Sequence, residues 1–149
     1  MSKLWTDAET APFLTPWREA VILPDDGNKE GVIDGDSFRM RVDVGFEVEV
    51  KAYVRLLGEG ALTTPDDDSD DAVDAWETRG KERELGLLAE RRAEELLGVG
   101  EPLRVWSFDG GSKGKYGRWL MVVLYPVEGG WKSLGDTLVE EGHAEWESY

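Results

Sequence analysis

The chain has 149 residues, 33% charged and 40% apolar, with seven Trp, no Cys and a formal charge of −15. That is enough sequence for one real hydrophobic core, and the absence of Cys excludes a disulfide scaffold, a thiolate zinc site and a Cys nucleophile. A single His, His143, excludes His-cluster metal sites and disfavours a Ser-His-Asp triad.

The acidic balance argues against nonspecific attraction to nucleic acid or to an anionic membrane surface. It is unevenly spread: eight acids and no base fall between Gly58 and Glu77. No run of about 18 apolar residues occurs, so no membrane span is predicted. The N-terminal residues contain no apolar signal segment, which predicts a cytoplasmic protein, or one working in a host cytoplasm or virion if phage-encoded.

Residues 1–17, with Pro12 and Pro16, have no periodicity and read as an N-terminal arm, with Trp5, Phe13 or Trp17 as its anchors. Val21-Ile22-Leu23 reads as a short strand, stopped by the turn cluster Pro24-Asp25-Asp26-Gly27-Asn28. After Val32-Ile33 comes Asp34-Gly35-Asp36. Phe38, Met40 and Val42 then alternate with Arg39, Arg41 and Asp43, as in a half-buried strand. Gly45 turns the chain into a second alternating run from Phe46 through Tyr53-Val54-Arg55-Leu56-Leu57.

Residues 58–73 read as an acidic loop insertion. The segment Asp74-Ala75-Trp76-Glu77 is expected to open a helix whose apolar face is Leu85, Leu88, Ala89, Ala93, Leu96 and Leu97, ended by Gly98 and Gly100. Leu103–Trp106 is a strand, Asp109–Ser112 begins a loop, and Trp119–Tyr125 is a strongly apolar strand closed by Pro126. Gly129-Gly130 is a turn, and Ser133 caps a last helix holding Leu134, Leu138 and Val139. Three strands, a helix, two strands and a helix suit an α+β, mostly β fold: a five-stranded OB-type Greek-key barrel with two or three helices, spanning residues 18–149.

Three segments bear chemistry: Val32-Ile33-Asp34-Gly35-Asp36-Ser37; Arg55 with the later Asp74-Ala75-Trp76-Glu77; and Gly114-Lys115-Tyr116-Gly117-Arg118. In this order, and with Leu138-Val139-Glu140-Glu141-Gly142-His143-Ala144 near the end, they resemble the staphylococcal nuclease-like (thermonuclease) family over roughly residues 18–149. The resemblance implies a calcium-dependent nuclease, a hydrolase of phosphodiester bonds in DNA and/or RNA. It implies Asp36, Asp74 and the Ala75 carbonyl as Ca2+ ligands, and Glu77 orienting or deprotonating the attacking water. Arg55 and Arg118 would grip the scissile phosphate, with Lys115 and Tyr116 at a neighbouring one. The 19-residue step from Arg55 to Asp74 requires an insertion, and Trp76 stands where the family has Pro.

The chemistry is coherent without the family. Hard Ca2+ takes carboxylate and carbonyl oxygens, and planar guanidinium forks suit phosphate better than Lys does. Singly, each motif also has an ordinary role: a turn at Asp34-Gly35-Asp36, surface arginines at 55 and 118, acids complementing a helix N-terminus at 74 and 77. Two other functions stay open. One is a catalytically weak or inactive OB-fold module that binds nucleic acid or protein, favoured by the net charge. The other is an acidic calcium-binding protein using the 66–77 loop, where Asp66, Asp68, Asp70, Asp74 and Glu77 have EF-hand spacing but Asp71 replaces the needed Gly. Trp119, beside Arg118, is a candidate for stacking on a base. The expected partners are DNA and/or RNA, no membrane, and no second subunit.

Overall fold

The computed structural model describes residues 2–27, 30–62, 72–75, 83–107 and 118–147, with the backbone alone at 72–75, 83 and 147. Its strands are β1 (Arg18–Ile22), β2 (Val32–Asp34), β3 (Ser37–Gly45), β4 (Val48–Leu57), β5 (Ala72–Ala75), β6 (Leu103–Ser107), β7 (Trp119–Val127), β8 (Gly130–Ser133) and β9 (Ala144–Glu147). Helix α1 spans Arg83–Leu97 and α2 spans Leu134–Glu140.

Five strands close a barrel in the order β1, β3, β4, β7, β6 and back to β1. All neighbours are antiparallel except β4 and β7, which run parallel from Val54 beside Trp119 to Leu57 beside Val122. This is the OB-type α+β fold that the alternating pattern predicts.

Period-two alternation decides which side chains fill the barrel. Phe38, Met40 and Val42 of β3 point inward, with Val54 and Leu56 of β4, Ile22 of β1, Leu103 and Val105 of β6, and Val123 of β7. Phe38 lies directly across from Val54, and both are fully buried. Helix α1 lays Ala89, Ala93 and Leu97 on this core, and small residues let its backbone come close to β2. Leu85 and Leu88, expected on that face, are instead half exposed, because the seam turns to the Ala89–Ala93–Leu97 side.

The unbroken apolar run of β7 has a different cause from burial in the barrel alone. Its outward residues Leu120, Val122 and Leu124 form a second cluster with Trp17 and Leu57, bordered by Trp5, Trp106 and Trp131. A strand buried on both faces loses its alternation. The arm holds this outer layer down: Trp5 and Trp131 exchange backbone hydrogen bonds of 2.8 and 2.9 Å, and Trp17 meets Trp5 and Trp106 edge to face. Gly130 is needed here, since a Cβ would sit 2.2 Å from the Trp5 carbonyl oxygen. Phe13, a candidate anchor, is half exposed, with the Arg18 guanidinium above its ring.

Three expectations need correction. Asp74 and Ala75 do not open a helix; they belong to β5, which pairs with β9, Asp74 opposite Glu145 and Ala75 opposite Ala144. Pro126 does not close β7, which continues to Val127 and folds back as β8 with Pro126 opposite Trp131. A Pro is tolerated in a strand where its missing N–H is not required by the ladder. The insertion after Leu57 is not loop throughout: Glu59–Leu62 forms a 3-10 turn and Ala72–Ala75 a strand, while residues 63–71 lie outside the described residues.

Ser133 caps α2 as expected, accepting from the Asp136 N–H. Burial pushes the Asp136 carboxyl above its usual range, although it accepts hydrogen bonds from the Ser133 hydroxyl and from the Glu59 N–H. Among the described residues no helix is long and apolar enough to cross a membrane.

Candidate active site

The end of the β3–β4 ribbon farthest from its hairpin tip gathers the charged residues. β2 and β3 are joined by a two-residue loop, Gly35-Asp36, with Asp34 paired to Ser37. So Asp34-Gly35-Asp36 is a turn, and the turn is what delivers Asp36. The Leu56 N–H donates to the Asp36 carbonyl at 2.9 Å, pinning the loop to β4 one residue beyond Arg55. Ser37 lies directly opposite Arg55 in the ladder, so the two side chains share the outward face.

Side-chain contacts then close a small polar cluster. The Ser37 hydroxyl donates to Asp36 Oδ1 at 2.9 Å, and Arg118 Nη1 donates to the Ser37 hydroxyl at 2.7 Å. Arg55 Nη2 stands 3.8 Å from Asp36 Oδ2, an ion pair longer than a hydrogen bond. Asp36, Ser37 and Arg55 are all buried, and Arg118 is half-buried. Buried charge is held only where it is paired and hydrogen-bonded. Arg118 reaches this cluster from the strand on the other side of β4, since β7 starts at Trp119 alongside Val54. The parallel β4–β7 pair thus aims both arginines at one corner, which no local spacing in the sequence reveals.

Of the expected site residues, Asp36, Arg55 and Arg118 come together. The backbone of Asp74 and Ala75 lies in β5, which joins β4 at Leu57 opposite Ala72, two residues past Arg55. That brings the strand to the same end of β4 as the Asp36 loop. Glu77, Lys115 and Tyr116 lie outside the described residues, as do Asp66, Asp68 and Asp70 of the EF-hand alternative. Trp119 faces away from Arg118: it is partly buried against the barrel core and lines the opposite, apolar mouth.

A hard cation fits the donor chemistry at this corner. Asp36 offers carboxylate oxygens in a chain with no Cys and one His, at the end of β4 where β5 joins it. Among the described residues no three metal-binding side chains cluster.

Two contributors escaped the sequence-level account. Ser37 was visible only as part of the turn motif, yet its hydroxyl joins Arg118 to Asp36. Arg39, expected on the wet side of β3, is nine-tenths buried, and its Nη1 has no hydrogen-bond partner among the described residues. The alternation puts residues 37 and 39 on one face but carries no mark of what covers that face.

Beside the corner, Asp34 belongs to a second acidic group. Burial first, and then the charges of Glu94, Glu30 and Asp34, push the Glu90 carboxyl up to about 7. No family model and no curated protein matches the chain.

Proposed function

We propose that the protein is a calcium-dependent phosphodiesterase acting on DNA and/or RNA. The observation that carries this is the convergence of Arg55 and Arg118, from two different strands, on the Asp36–Ser37 turn.

Hydrolysis of a phosphodiester adds water to phosphorus in line with the leaving oxygen, and negative charge grows on the equatorial oxygens. Two guanidinium forks fixed at one corner stabilise that charge without reorganising. Arg55 is oriented by its ladder position opposite Ser37 and by Asp36; Arg118 is oriented by the Ser37 hydroxyl. Ca2+, held by Asp36 with Asp74 and the Ala75 carbonyl, would add a fixed positive charge against the same oxygens. Glu77 is assigned to positioning the attacking water on its sequence resemblance alone. Replacing it by Gln is expected to lower turnover far more than substrate affinity.

The net charge of −15 favours a second reading, a non-catalytic OB-type binding module that retains the corner. The two separate on incubation of the full chain with single-stranded DNA and with RNA, in Ca2+ and then in chelator, beside Arg118→Ala. Ca2+-dependent cleavage that disappears in the variant supports the hydrolase. Retention of nucleic acid without cleavage under any divalent ion supports the module instead.

A further inference from the structure

The Asp36 corner uses one end of the barrel, and the other end is open. There Arg18 opens β1, Val44 is the last inward residue of β3, Val50 stands near the start of β4, and Trp119 opens β7. These side chains surround a cleft of about 490 Å3 whose floor is Val42, Ala52, Val105 and Met121 of the barrel core. Val44 and Val50 remain 41% and 43% exposed, apolar surface that no described residue covers. Ala52 sets the depth. It is the smallest side chain in the inward row Val50, Ala52, Val54 and Leu56 of β4.

Concave apolar sites of roughly 300–1,000 Å3 are the usual size for small-molecule binding, and barrel mouths are a usual place for them. One charge lines this one. Alternation along β1 puts Arg18 on the same face as the core residues Ala20 and Ile22, so its side chain is carried at the rim of the cleft rather than out on the barrel wall. Its guanidinium lies 4.9 Å over the Phe13 ring and forms no ion pair among the described residues. The acids of the hairpin, Asp43, Glu47 and Glu49, line a separate recess with Phe13 and Phe46. A guanidinium at the edge of an apolar cleft that contains no carboxylate selects an apolar body with one anionic end.

We infer that the barrel mouth is a binding site for an apolar monocarboxylate, its chain laid against Val44, Val50 and Trp119 and its carboxylate on Arg18. This goes beyond the phosphodiesterase reading and does not need it, since no residue of the corner and no Ca2+ takes part. A nucleic acid is the wrong form of anion here: its charges repeat along the strand, whereas the cleft offers one cation.

The test is isothermal titration of the full chain in chelator, with each ligand below its micelle concentration. From hexanoate through octanoate to decanoate, affinity should rise about fourfold per methylene, at one site per chain. Decanol and decylamine should each bind on the order of tenfold more weakly than decanoate. Arg18→Gln should weaken decanoate on the order of tenfold and leave decanol unchanged, a split that a damaged fold would not give. Ala52→Leu fills the cleft from its floor and should abolish binding of both. Val44→Trp closes it from the half-exposed rim, with the same result expected, and serves if Ala52→Leu does not fold. Arg91→Gln, exposed on α1, should bind as the parent does, and melting curves check that each variant is folded.

No decanoate binding, more than one decanoate bound per chain, equal binding of decylamine, or decanoate affinity unchanged in Arg18→Gln or in a folded cleft-filling variant would each overturn the assignment. Ca2+-dependent cleavage bears on the Asp36 corner alone, so either claim can fail while the other stands.

Discussion

The two ends of the β3–β4 ribbon are built on opposite rules. At the Ser37–Arg55 end, charged side chains are buried and tied to one another. At the Gly45–Val48 end, apolar side chains stand in water: Phe46 is fully exposed, with Val44, Val48 and Val50 around it. Phe46 and Glu47 also adopt positive φ, which L side chains rarely do. The strand alternation is the same at both ends; what changes is the surroundings. The charged end meets β2, β5, β7 and the Asp36 loop, whereas the tip projects past the barrel mouth. Burial of charge beside a built turn marks the end where the proposed site lies. Behind the tip, Val44 and Val50 line an apolar cleft of about 490 Å3 together with Trp106 and Trp119.

The largest expected effect removes the floor beneath the charged end. Phe38→Ala opens a cavity against Val54 and should cost about 3–5 kcal/mol in urea unfolding. A much smaller loss would mean that the corner does not rest on this pair.

Next is the hydroxyl that joins the two arginine-bearing strands. Ser37→Ala leaves Arg118 and Asp36 without their shared partner and should cost about 1–3 kcal/mol, with Ser37→Thr recovering most of it. Denaturant midpoints of the two variants, compared side by side, check this.

At the other end the sign reverses. Replacing Phe46 by Asn and Glu47 by Gly supplies the residues that a tight hairpin with positive φ prefers, and should stabilise by about 1 kcal/mol. Destabilisation would show that the tip's side chains are holding something in place.

The smallest effect is a pH slope near the charged end. Glu90 holds its proton to about pH 7 in the folded chain, well above the ordinary carboxyl value it regains on unfolding. The unfolded chain therefore releases that proton first, and folded stability falls as pH rises between those two values. Glu90→Gln should raise the melting temperature at pH 8, leave it nearly unchanged at pH 4, and flatten the dependence between them. An unchanged slope would assign the pH response to other groups.

Much of this was legible in the residues. The alternation from Phe38 to Asp43 located the core face of β3, and the β7 run announced a strongly apolar strand, whose burial on both faces the structure then showed. Asp36, Arg55 and Arg118 were picked out as a set by the order of motifs that resembles a known family; singly, each also read as a turn or a surface arginine. What was not legible depends on distant pairing. Nothing near Asp74 signals that its backbone pairs with Glu145, so a strand there looked like a helix start. Nothing near Leu88 tells which side of α1 meets β2, since Leu and Ala satisfy the same periodicity on neighbouring faces. Arg39 looked solvated because one polar residue in an alternating strand carries no mark of what covers it.

The central claim is that two guanidiniums and the Asp36 turn form one phosphate-handling corner. Its most direct test is the Ca2+-dependent cleavage rate of Arg118→Lys and Arg118→Ala on a single-stranded oligonucleotide, with kcat and KM resolved. Lysine keeps the charge but loses the planar fork, so both variants should lose on the order of 10²–10³-fold in kcat while KM moves little. Parent-like turnover in Arg118→Ala, or no Ca2+-dependent cleavage by the parent chain, would contradict the account.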